Sequence, residues 1–171
     1  RKIDRIKWFD SYLTTILNRD IKSLSDLKNP DSMVKLLSLL SMRTGGLLNN
    51  TEIAKEVGID YRTYEKMLAF AINSFMVFNI KSWARPNKLN KRFVKSPKLY
   101  FTDCNFLSYI MKRSIENIYS NDERTFGHIF ENFVAAELVK CTKSNNIEFI
   151  KAMKCISIPQ KFNPLKPKIK N

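Results

Sequence analysis

Apolar side chains recur three and four residues apart along most of residues 1–140, and the polar stretches between them mark where each helix should stop. In residues 5–19, Ile6, Phe9, Tyr12, Leu13, Ile16 and Leu17 form one apolar stripe, which predicts an amphipathic helix in need of a partner. Arg19 and Asp20, followed by Ser23, Ser25 and Asp26, predict a break. Asn29-Pro30-Asp31 then reads as a helix start: Asn29 as N-cap, Pro30 at the first helical position and Asp31 at the positive end of the dipole. Met33, Leu36, Leu37, Leu39 and Leu40 give that helix its apolar face, and Thr44-Gly45-Gly46 ends it.

Residues 44–101 organise the rest. Ile53, Ala54 and Val57 predict a helix over 51–57, Gly58 breaks it, and Asp60 caps a second helix over 60–74 carrying Tyr64, Leu68, Ala71, Ile72 and Phe75. The spacing of Ala54 and Gly58 predicts a close crossing of the two helices, with glycine also tolerating the positive φ of the turn. Two strand-like runs follow, near 76–82 and 95–101. Helix, turn, helix and a strand pair in this order predict a winged helix-turn-helix. Beyond it, Asp103 is expected to cap a helix holding Phe106, Leu107, Ile110 and Met111, residues 120–124 to form a loop, and Phe126, Ile129, Phe130, Phe133, Val134 and Leu138 to define a strong amphipathic helix. Pro159, Pro164 and Pro167 stand too close together for a regular element, so residues 151–171 are expected to be extended or disordered.

Only four glycines and 44% hydrophobic residues in 171 fit a mostly α, α+β protein with a sizeable core. The net charge of +14 changes the picture more. It is uneven, with +4 on residues 1–50, +6 on 51–100, −2 on 101–150 and +6 on 151–171. Such an excess points to an acidic partner, nucleic acid or anionic lipid, although the abundance of Lys, Asn and Ile is also what an AT-rich genome produces without selection for binding. Residues 81–98 hold Lys81, Arg85, Lys88, Lys91, Arg92, Lys95 and Lys98 with no acidic residue, interleaved with Trp83, Phe93 and Pro97. A hairpin tip of this kind can follow a phosphate backbone. Arg62 and Lys66, four apart on the second helix, share a face opposite Leu68 and Ile72 and are the cations a groove would meet. The candidate DNA-binding set is therefore Arg62, Lys66, Lys88, Lys91, Arg92 and Lys95.

Other chemistry is sparse. Cys104, Cys141 and Cys155 are odd in number and widely spaced, which argues for reduced thiols in a cytoplasmic protein and against a disulfide framework or CxxC metal site. His128 is the only histidine and has no evident nucleophile partner. No apolar run approaches the roughly 20 residues of a membrane span, and the first residues lack the apolar core of a signal peptide. The sequence begins without an initiator Met and reads as a piece of a longer protein.

Four blocks in order, WFDSYLTTILNRDIKSL (8–24), LLSLLSMRTGGLLNNTEIAKEVGIDYRTYEKML (36–68), FVKSPKLYFTD (93–103) and GHIFENFVAAELVK (127–140), resemble the C-terminal region of predicted AAA+ superfamily ATPases of bacteria and archaea. The resemblance covers about residues 8–140. It implies a P-loop ATPase domain upstream, a winged-helix region, and a following domain related to the PD-(D/E)xK nucleases, within a region of no assigned function. Two departures follow. No GxxxxGK[ST] occurs, so the phosphate-cradling loop is absent from this chain. No aspartate follows Asp122, no Glu-x-Lys occurs, and nothing acidic follows Glu148, so the carboxylates a nuclease metal site needs are missing although Glu131 and Glu137 match the family's acidic helix positions. Those two glutamates read as solvated or structural, and the motif Lys95, Ser96, Pro97, Lys98, Tyr100 and Asp103 as structural, with Pro97 at an edge strand and Asp103 a cap.

The expected organisation is a helical segment (1–43), a winged helix-turn-helix (44–112), a truncated nuclease-like segment (113–150) and a basic tail (151–171). The expected function is non-catalytic binding of duplex DNA with low specificity, without metal or cofactor and without a membrane. The rival is a protein-interaction module that packs on an ATPase domain or another subunit. Acidic Asp60 and Glu65 near the start of the second helix favour the rival, because they face phosphates unfavourably.

Overall fold

A computed structural model describes residues 4–20, 30–80 and 97–144. Their order is α1 (Arg5–Asp20), α2 (Pro30–Met42), α3 (Asn50–Val57), α4 (Tyr61–Asn73), β1 (Val77–Ile80), β2 (Lys98–Phe101), α5 (Cys104–Met111), α6 (Ile115–Asn121) and α7 (Glu123–Ser144). The described residues are thus mostly helical, with one small antiparallel strand pair. The chain divides into a compact unit Arg1–Ala136 and a second, Glu137–Asn171. In the second, the described residues are the end of α7, where Lys140 Nζ donates to Glu137 Oε1 at 2.7 Å.

The first unit is built around α2, whose Met33, Leu36, Leu37 and Leu40 are fully buried. It packs on α5 and α3. Phe9 and Tyr12 of α1 bring their rings to within 5.6 and 6.0 Å of Phe106 on α5, and the Tyr109 hydroxyl donates to Asp10 at 2.6 Å. The predicted stripe of α1 holds except at its start, where Ile6 is exposed. Asn29 lies outside the described residues.

Between α3 and α4 the turn follows from two residues. Gly58 has φ +87°, and its N–H donates to the carbonyls of Ala54 and Lys55. A Cβ placed there would meet nothing within 4 Å, so the expected close crossing at Gly58 is not the reason for glycine. The left-handed backbone is. Lys35 of α2 supports the same helix end by donating to the carbonyl of Val57 at 3.0 Å, a cation at the negative end of the dipole. Asp60 caps α4 as predicted, its Oδ1 accepting from the N–H of Thr63 at 2.9 Å.

Burial on α4 differs in detail from the predicted face. Tyr64, Met67, Phe70 and Ala71 are buried, Leu68 and Ile72 only half so, and Phe75 is 76% exposed. Phe75 lies beyond the helix, at φ +56°, in the turn that ends α4: its N–H donates to Ile72 and that of Met76 to Ala71. This is the Schellman pattern, with phenylalanine where glycine is usual.

β1 and β2 pair Val77 with Phe101 and Ile80 with Lys98. The other edge of β2 is also occupied: Leu47 bridges Lys98, and the N–H of Gly45 donates to the carbonyl of Leu99 at 2.9 Å. Asp103 caps α5 by accepting from the N–H groups of Asn105 and Phe106. The expected loop over 120–124 is absent. α6 runs to Asn121 and α7 begins at Glu123, so Asp122 alone separates them, its N–H closing α6 on Ile118 and its carboxylate accepting from the N–H of Thr125.

Candidate nucleic-acid interface

Of the six candidate cations, two lie among the described residues. Arg62 is exposed and Lys66 half-buried; the residues buried across α4 from them are Tyr64 and Ala71, whereas Leu68 and Ile72, which the spacing placed opposite, are only half-buried. One turn apart, they sit about 6 Å from each other along the helix. Tyr64 sets the rotation of that face. Its ring is buried, its hydroxyl donates to Asn50 Oδ1 of α3 at 2.9 Å, and burial above all pushes its pKa up to about 12. Lys88, Lys91, Arg92 and Lys95 fall in the chain connecting Ile80 to Lys98 and lie outside the described residues.

The N-terminus of α4 is closed to anions. Asp60 accepts from the Thr63 hydroxyl at 2.6 Å as well as from the Thr63 N–H, and these hydrogen bonds, the hydroxyl's first, hold its carboxyl below the usual range. A phosphate approaching the helix end would meet a fixed carboxylate in place of free N–H groups. The cations this helix could offer an anion are Arg62 and Lys66 on its flank.

Charge divides cleanly between the described residues and the rest. The described residues carry 14 basic and 14 acidic side chains; the remaining segments carry 16 basic and 2 acidic ones, and so the whole net charge of +14. Among the described residues cations are matched and several are paired: Arg43 with Glu56, Lys98 with Glu131, Arg113 with Asp122. The Glu56 carboxyl is correspondingly lowered by its hydrogen bond from Arg43.

A second constellation joins α7 to β2. Asn132 is fully buried; its Oδ1 accepts from the N–H of Phe101 at 2.7 Å and from the Thr44 hydroxyl at 2.9 Å, while its Nδ2 donates to the carbonyl of Phe101 at 3.0 Å. The carboxamide thus behaves as one more strand residue at the edge of β2. Next to it, Glu131 Oε1 accepts from Lys98 Nζ and from the Tyr100 hydroxyl, both at 2.8 Å. Burial, and then this carboxylate, push the Tyr100 pKa well up. Glu131 is therefore a structural acid. Asn132 was not singled out by the sequence reading, yet a signal existed: it falls in step with Ile129, Ala135 and Ala136, the buried positions of α7, and a polar residue there requires partners.

His128 is half-buried on α7, Cys104 half-buried and Cys141 exposed. Among the described residues no three His, Cys, Asp or Glu side chains are grouped to hold a metal, and no helix is long and apolar enough to cross a membrane.

Fold and site together define a mostly helical domain with a small antiparallel sheet. The chain belongs to the family described as domain of unknown function DUF8612, whose family model matches residues 1–117. Over 146 residues it is 23% identical to uncharacterized protein Rv2008c of Mycobacterium tuberculosis and, to the same extent, to uncharacterized protein Mb2031c of Mycobacterium bovis. The match covers 85% of this chain and 32% of each relative, so the chain spans about a third of the length of the curated relatives it matches. No solved structure matches.

Proposed function

We propose that this chain is a non-catalytic, winged-helix module that binds duplex DNA with little sequence preference. The observation that carries the reading is the order α3, Gly58 turn, α4, β1, β2, with a connection between the strands whose charged residues are all basic. In this reading α4 lies along a groove, Arg62 and Lys66 face it from the flank, and Lys88, Lys91, Arg92 and Lys95 reach the adjacent backbone. The residue blocks shared with predicted AAA+ ATPases support a parent protein of that kind, with α7 as the remnant of a nuclease-like domain. The test is fluorescence anisotropy on a short duplex between about 50 and 200 mM salt, a range over which binders that neutralise several phosphates lose orders of magnitude in affinity. Replacing three of the wing cations should lower the salt slope by roughly 0.9 per lost contact and weaken all sequences alike. Absence of binding at the low-salt end would count against it.

A protein-interaction module is the second reading. The fixed carboxylate of Asp60, the exposed Glu65 beside the candidate cations, and exposed Trp8 and Phe75 favour it. Binding of the purified chain to an ATPase domain, unchanged by the wing substitutions, would select it.

A further inference from the structure

Lys98 ends the run of seven cations in residues 81–98, but its ammonium is already engaged. Its Nζ lies 2.8 Å from Glu131 Oε1, and that same oxygen takes the Tyr100 hydroxyl. Glu131 is seated on α7 beside Asn132, whose carboxamide is locked into the backbone of β2. We propose that Glu131 is an internal competitor for DNA phosphate, holding Lys98 back from the duplex; the inference rests on the DNA-binding reading above.

An ammonium pairs with a carboxylate or a phosphodiester oxygen by the same charge-assisted hydrogen bond, so placement decides between them. Glu131 needs no ordering, because α7 and Tyr100 hold it in position, whereas a phosphate must be brought in and give up water. Both side chains are partly exposed, Lys98 at 43% and Glu131 at 29%, so the exchange is sterically open. With Glu131 charged, Lys98 releases no counterion on binding. With Glu131 neutral, it becomes one more phosphate contact.

The experiment measures salt slopes on a short duplex for the full chain and four variants. Glu131→Gln should steepen the slope by about 0.9 and tighten binding roughly three- to tenfold near 50 mM salt. Lys98→Gln alone should leave the slope unchanged, and combined with Glu131→Gln it should cancel the gain. Glu123→Gln removes the same charge from an exposed position and should not steepen the slope. The proposal is overturned if Lys98→Gln alone lowers the slope by about 0.9, or if Glu131→Gln does no more than Glu123→Gln. Should Glu131→Gln lose its helical circular dichroism, the Lys98→Gln arm decides by itself. If no form of the chain binds at low salt, the DNA reading fails and this inference with it; if the chain binds and wing substitutions weaken it while the Glu131 arm is flat, this inference alone fails.

Discussion

Gly58 and Phe75 share a left-handed backbone, φ +87° and +56°, but only one of them suits it. An L side chain there costs about 1 kcal/mol, and neither site recovers it by packing, since a Cβ at 58 touches nothing and Phe75 is largely solvent-exposed. Gly58→Ala is therefore expected to destabilise by about 1 kcal/mol and Phe75→Gly to stabilise by about 0.5–1 kcal/mol, read from urea midpoints at constant m-value. Asn132 is the costlier position. Its truncation to alanine would strip partners from a buried N–H, a buried carbonyl and the buried Thr44 hydroxyl, and a loss of about 2–4 kcal/mol is expected in the same titration. Gly58 and Asp60 were legible because left-handed turns and N-caps each demand a narrow set of residues. Phe75 was not, because apolar spacing assigned it to the helix face, whereas the helix closes two residues earlier.

At the level of elements, α3, α4, β1 and β2 follow the predicted order, with Gly58 ending the first helix and Asp60 capping the second as expected. α6 escaped because it buries only Ile118 completely and is fixed by a cap, Ser114 accepting from the N–H of Asn117, where a stripe would have been readable. The break between α6 and α7 is the work of Asp122, whose hydrogen bonds from the Thr125 N–H and then from Arg113 hold its pKa down to about 2. Its carboxyl binds protons less readily folded than unfolded, so the ionised cap stabilises the junction fully above the ordinary value of 3.8 and the contribution fades as pH falls through about 2. Carbon-13 NMR of that carboxyl should give a midpoint near 2, and Arg113→Gln should move it upward. A midpoint near 4 would show that the cap does not form.

For the molecule as a whole, the net charge is +14, while the charges of the described residues balance. In the sequence the excess is concentrated in residues 81–98 and 151–171. What the sequence could not show was the pairing of Lys98, because Glu131 lies 33 residues away along the chain. The lack of a P-loop and of Glu-x-Lys leads to one further expectation: the purified chain should show neither ATP turnover nor Mg²⁺-dependent DNA cleavage. A steady-state phosphate-release assay and a plasmid-nicking assay check the two parts. The way Asn132 meets β2 also bears on solubility. Its carboxamide occupies the N–H and carbonyl of Phe101, and Gly45 takes the carbonyl of Leu99, so a foreign strand finds no template along that edge. An Asn132→Ala molecule would uncover the end of it, and would tend to self-associate by strand addition even before it unfolded.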